Sequence, residues 1–213
     1  MAVITIWTDL HCPWAYVSAL RLHRMRDHLG AEQVIFDFRA WPLELVNEQG
    51  VPERIVRNEM AVLAQLESSA FSNYDNDSWP TTYLPAFEAQ KWGYSLGQEV
   101  GEHFDLALRR AFFLHSRDLS LRHELLEVAT SEGLNAEQLG EALDDGRFRK
   151  EVMADYEESK GLPIQGSPQV FLPDGTSHHN PGISHKWVRG IPVVESDHPS
   201  VYQDLIQAAA TEE

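Results

Sequence analysis

The strongest constraint on the fold lies at the start of the chain. Val3-Ile4-Thr5-Ile6-Trp7 is a run of branched and aromatic residues, the pattern of a strand. A helical pattern follows, with Ala15, Ala19, Leu22, Met25 and Leu29 on one face and Gly30 as its stop. Pro13 suits the first helical position, where a missing N–H costs nothing. Val34 to Trp41 reads as a second strand, with Val34, Phe36, Phe38 and Ala40 on one face, Asp37 and Arg39 on the other, and Pro42 closing it. Strand, long helix and strand predict a right-handed parallel crossover, and therefore an α/β fold.

The pattern then becomes helical from Pro52 to Asp144. Helices are predicted over Arg54–Phe71, Glu99–Leu114 and Leu121–Glu132, the last stopped by Gly133, with a short fourth from Asn135 to near Gly146. Between the first two, Phe71–Trp92 reads as an aromatic loop carrying Pro80 and Pro85. A further helix, Phe148–Lys160, is broken by Gly161-Leu162-Pro163. Gln169–Leu172 is a short strand, and Pro173-Asp174-Gly175 is a turn that predicts a hairpin partner from Thr176. The last helix is expected from Pro199 to Ala210, with Ser196 or Asp197 as its cap. This order divides the chain into a first part, 1–50, a helical insert, 51–145, and a closing part, 146–213.

A chain of 213 residues, 43% hydrophobic and 23% charged, can bury a core without covalent staples. Cys12 is its only cysteine, so no internal disulfide can form. The net charge of -16 is spread along the chain as a solvated exterior and argues against a nucleic-acid partner. No apolar run approaches the roughly 20 residues that span a bilayer, so no membrane partner is expected. The N-terminus lacks the pattern of an export signal, and with a lone thiol this makes the reducing cytoplasm the expected location.

Cys12 sits where a strand gives way to a helix. Unpaired N–H groups at a helix start favour negative charge, which predicts a thiol more acidic than free cysteine, with His11 adding positive charge when protonated. In its order of elements and in two motifs, Cys12-Pro13-Trp14-Ala15 and Gly166-Ser167-Pro168-Gln169-Val170-Phe171, the chain resembles the DsbA-like family. That group includes FrnE-type dithiol oxidoreductases, kappa-class glutathione transferases and 2-hydroxychromene-2-carboxylate isomerases. The resemblance covers essentially the whole chain and implies a thioredoxin fold split by an all-helical inserted domain. It implies catalysis at Cys12 with His11 as helper, and substrate binding by Pro13, Trp14, Ser167 and a cis Pro168 facing Cys12. The Glu195-Ser196-Asp197 segment resembles the place where kappa-type relatives hold the γ-glutamyl end of glutathione, so Ser196 and Asp197 are binding candidates as well as helix caps.

The chain departs from the redox members at Ala15, where they carry a second cysteine. A mixed disulfide on Cys12 therefore has no internal exit and must be released by an external thiol. The leading expectation is a thiol-disulfide oxidoreductase acting through one reactive cysteine on a disulfide or electrophilic substrate. Its co-substrate is a small thiol, glutathione or an equivalent, and no cofactor is tightly bound. Two alternatives stay open: a glutathione-type transferase or isomerase acting on a small aromatic compound, and a non-catalytic binding protein with the same fold. A homodimer is compatible with either. His178, His179 and His185 lie close in sequence but lack accompanying cysteine or carboxylate spacing, so no metal site is expected. Trp79, Tyr83, Trp92 and Tyr94, with Trp14, read equally as the lining of an apolar cleft or as core.

Overall fold

The computed structural model describes residues 1–50 and 52–211. It opens with β1 (Ala2–Thr8), α1 (Pro13–Leu29) and β2 (Val34–Ala40), and β1 and β2 pair in parallel from Ala2↔Val34 to Thr8↔Ala40. Pro13 lies in the first turn of α1, and Gly30 ends the helix in the left-handed region at φ 62°. In β2 burial alternates strictly, with Val34, Phe36, Phe38 and Ala40 inward. A short helix, α2 (Leu43–Val46), leads into the helical block of α3 (Glu53–Leu63), α4 (Leu84–Ser95), α5 (Gln98–Phe113), α6 (Arg122–Ser131) and α7 (Ala136–Asp145). The chain returns through α8 (Arg149–Ser159) to β3 (Gln169–Phe171) and β4 (Ser177–His179). β3 is antiparallel to β1 and to β4, giving the sheet order β2-β1-β3-β4. A separate hairpin, β5 (Ile183–Val188) and β6 (Ile191–Asp197), precedes α9 (Val201–Ala210). Among the described residues, no helix is long and apolar enough to cross a membrane.

Two apolar clusters hold these parts together, and α1 is buried between them. Ala19 and Leu22, backed by Met25 and Leu29, join Ile4, Ile6, Phe36, Phe38 and the inner face of α9 around the sheet. Trp14, Ala15, Tyr16 and Val17 turn instead toward the insert, against a cluster that includes Phe87, Phe104, Phe112 and Phe113. Each large side chain buried this completely is worth about 1.5–3 kcal/mol.

Three expected elements are corrected. The helix expected over Arg54–Phe71 stops at Leu63, and the Phe71–Trp92 loop gives way to α4 from Leu84, because Pro85 lies in that helix's first turn and opens it rather than breaking it. The β5–β6 hairpin was not expected. Its turn, Arg189-Gly190, has both φ values positive, 53° and 79°, the geometry of a two-residue hairpin turn in a sequence without the usual Asn-Gly or Asp-Gly marker. As a result Ser196 and Asp197 lie on β6, and Ser200 occupies the N-cap position of α9.

Candidate functional site

Cys12 is the N-cap residue of α1, with extended backbone at φ -84° and ψ 115°. Its thiol donates to the Ser167 carbonyl at 3.2 Å, and the Ser167–Pro168 peptide is cis. The loop around this pair is tied down from several sides. The Asp9 N–H donates to Ser167 Oγ at 2.8 Å. Asp9 accepts from the His11 N–H at 2.7 Å on one oxygen and from the Leu43 N–H at 2.8 Å on the other. Beneath it the buried Arg109 reaches the Asp9 carbonyl at 3.2 Å and Thr8 Oγ1 at 2.8 Å while paired with Asp105 at 2.8 Å. Strand end, helix start and proline loop thus share one polar anchor.

Above the sulfur opens a cleft of about 540 Å³, walled by α1, α3, Asn47, Gln49, Gly50 and Pro52, the proline loop and β5. Trp14 stacks on His185 with ring centroids 4.1 Å apart and donates its indole N–H to Glu59 at 2.8 Å. His179 Nδ1 lies 3.2 Å from the Pro168 carbonyl. Gly166 makes room for it, since a Cβ there would lie 2.5 Å from His179 Cε1.

The electrostatics differ from expectation at both predicted catalytic residues. Burial, reinforced by the Glu59 charge, pushes the Cys12 thiol up to about 12, outweighing the hydrogen bonds of the Ala15 N–H and Ser167. The expected acidic thiol is therefore corrected, because Cys12 is only 6% exposed and faces a carboxylate across the cleft. His11 is corrected as an electrostatic helper. Burial first, then Arg109, drives its imidazole well below the usual range, and it stacks neutral on Tyr83 at 3.7 Å. Burial likewise raises Glu59 to about 7 and Asp9 to about 6.

Of the predicted binding residues, Pro13, Trp14 and Ser167 line the cleft, and Pro168 stands beside it. Ser196 and Asp197 do not. Asp197 is held in a two-pronged ion pair by Arg21 at 2.6 and 2.9 Å, and Ser196 Oγ pairs with Ser184 Oγ at 2.7 Å, because β6 carries both away from the sulfur. Of the aromatic cluster, only Trp14 reaches the cleft. Tyr83 lies under His11, Trp92 packs on Phe104, Trp79 sits between Tyr74 and Phe112, and Tyr94 donates to the Phe36 carbonyl at 3.0 Å. Sequence reasoning missed Glu59, Trp41 and Trp187 in the cleft and Asp9 and Arg109 beneath it. No local motif marks them, since each comes from a different element.

A parallel β-α-β opening, an antiparallel return onto β1, and a cysteine at the start of α1 facing a proline loop define a thioredoxin fold interrupted by helices. The chain belongs to the DSBA-like thioredoxin domain family, whose model matches residues 3–188. Among solved structures it is similar to a protein described as a probable DsbA oxidoreductase from Streptomyces coelicolor, at 20% identity over 100% of this chain and 92% of that one, with a TM-score of 0.73. It is also similar to the cytosolic disulfide reductase DsbM of Pseudomonas aeruginosa in a structure with glutathione, at 18% identity over 83% and 89% of the chains, with a TM-score of 0.65. A third likeness is to a 2-hydroxychromene-2-carboxylate isomerase, at 14% identity over 83% and 87%, with a TM-score of 0.61. No curated protein matches the chain in sequence. The family's members are oxidoreductases or isomerases, and at these identities the structural likenesses concern the fold.

Proposed function

We propose that the protein is a thiol-disulfide oxidoreductase that works through Cys12 alone and depends on an external small thiol. One observation carries this reading. The sulfur lies 3.2 Å from the Ser167 carbonyl at the floor of an open cleft, and the residue three places on, where a resolving thiol would stand, is the buried Ala15. Cys12 sulfur attacks one sulfur of a disulfide, forming a mixed disulfide as the substrate's S–S bond breaks. The leaving thiolate takes up the proton that Cys12 gave up. A small thiol then attacks the outer sulfur of the mixed disulfide, which releases Cys12 as a thiol and leaves that small thiol bonded to the substrate half. A second small thiol resolves this disulfide by the same exchange, so that two thiols are oxidised for each disulfide reduced. Glutathione or an equivalent is the proposed thiol, and the glutathione in the DsbM structure is consistent with that. The lone thiol and the cytosolic DsbM are consistent with a reducing cytoplasm as the location.

The raised Cys12 thiol favours a second reading. A sulfur that stays protonated is suited to donate a hydrogen bond to the thiolate of a bound small thiol, as a transferase or isomerase would need. Reduction of bis(2-hydroxyethyl) disulfide with added glutathione, followed alongside mass spectrometry of Cys12, separates the two. The expected result is a Cys12 adduct and thiol-dependent turnover that Cys12→Ser abolishes. Absence of any adduct, with thiol conjugation or isomerisation of an aromatic substrate surviving in Cys12→Ser, would replace the first reading by the second.

A further inference from the structure

The charge of the Cys12 cleft is one-sided. Among the described residues that line it there is no lysine or arginine, and Glu59 is the one carboxylate. Glu59 is 9% exposed, and Trp14 holds one of its oxygens at 2.8 Å. No lysine, arginine or histidine lies within ion-pair distance of it among the described residues. Burial pushes its carboxyl up to about 7, so it is mostly ionised at about pH 8. His11 and His185, the rings nearest the Cys12 and Trp14 wall, are both pushed toward the neutral form by burial. At the rim Trp187 is 47% exposed and presents an aromatic face of the kind that attracts cations. The whole molecule, at -16, draws cations in and slows the approach of anions.

We propose that this cleft selects cationic disulfide substrates, those bearing an ammonium or amidinium group a few bonds from sulfur, with Glu59 as the counter-ion. The inference rests on the thiol-disulfide reading above and names its substrate class. Glutathione disulfide, rich in carboxylates, meets no cationic side chain here and meets Glu59 as a like charge. A cationic disulfide pairs with Glu59 while one of its sulfurs faces Cys12. The chemistry is the exchange already described: the Cys12–sulfur bond forms, the ligand's S–S bond breaks, and the departing aminothiol leaves with the Cys12 proton. The pairing also acts on the rate. The Glu59 charge is one of the influences that keep Cys12 protonated, and a bound cation offsets it at the moment of attack.

The test compares three disulfides, cystamine, bis(2-hydroxyethyl) disulfide and glutathione disulfide, at about pH 8 and low salt. Formation of the Cys12 adduct is timed by mass spectrometry, and each rate is divided by that of free 2-mercaptoethanol with the same disulfide, which removes intrinsic reactivity. The normalised cystamine rate should exceed the glutathione disulfide rate by about ten-fold or more, with the neutral disulfide between them. Glu59→Gln keeps an oxygen for the Trp14 N–H but removes the charge, and should cut that ratio by about five-fold. Raising salt from about 20 to about 500 mM should narrow the wild-type ratio, a reading that needs no variant. A normalised ratio near one, a Glu59→Gln ratio equal to the wild type, or a wild-type ratio flat with salt overturns the proposal while leaving Cys12 exchange intact. Failure of all three disulfides to mark Cys12 overturns the thiol-disulfide reading and this inference with it.

Discussion

Replacing Arg109 by Met should destabilise the protein severely and loosen the Cys12 loop. Both Arg109 and Asp105 side chains are 0% exposed, paired at 2.8 and 3.0 Å, and Arg109 also satisfies Thr8 Oγ1 and the Asp9 carbonyl. Removing one partner leaves Asp105 charged in the interior with only the Gln90 amide, at 2.6 Å, to answer it. Breaking a buried pair in this way costs about 3–5 kcal/mol. Arg109→Met combined with Asp105→Leu removes both charges and leaves a few neutral polar groups unpaired at about 1–3 kcal/mol each. The double variant should therefore cost clearly less than the sum of the two single ones. Urea unfolding followed by tryptophan fluorescence measures this. With a slope of roughly 2–3 kcal/mol per molar, the midpoint of Arg109→Met should fall by about 1–2.5 M. Alkylation of Cys12 without urea should also quicken, because the Asp9 carbonyl has lost its anchor. A midpoint loss below about 0.3 M, or a double variant equal to the sum of the singles, would refute the account of this network.

Three further predictions follow from the same geometry. The logarithm of the Cys12 alkylation rate should keep rising with pH beyond about 10, and a plateau near the free-thiol value of about 8.5 would contradict the burial and Glu59 argument. Glu59 has a folded value of about 7 above its ordinary 4.5, so its protonation favours the fold: the contribution is complete below 4.5 and is lost as pH rises through 7. The stability of Glu59→Gln relative to wild type should accordingly grow by on the order of 3 kcal/mol between about pH 4 and pH 8, as read by denaturation at each pH, and a constant difference would refute it. Ala15→Cys should give Cys12 an internal exit and with it dithiol oxidoreductase activity on a protein disulfide; wild-type activity as high in the absence of any small thiol would show that no second thiol is needed.

The local code was readable wherever neighbours in sequence settle the matter. The alternation of Val34, Phe36 and Phe38, the proline and glycine at the two ends of α1, and the turn at Asp174-Gly175 each depend on residues a few places apart. The breaks came where one residue supports two outcomes. Pro85 ends a helix or begins one according to what lies after it, and the packed helix of Phe87 and Trp92 decided for a beginning. Ser196 and Asp197 were suited to cap a helix, but Arg21 from α1 and the pairing of β6 with β5 drew them into a strand.

The sequence by itself determined the crossover, the helical interruption, the position of the lone thiol at a helix start and the loop that meets it. These follow from periodicity, turn chemistry and motif order, which are properties of a contiguous chain. The acidity of that thiol was decided only in three dimensions. Helix placement argues for a thiolate, but desolvation depends on everything that closes over the sulfur, and Glu59 arrives from a helix 47 positions along the chain at no spacing a motif records. The same holds for the neutral His11, stacked on Tyr83 above Arg109. Charge and burial act through space, so the character of the site rests on residues whose meeting the folded packing alone arranges.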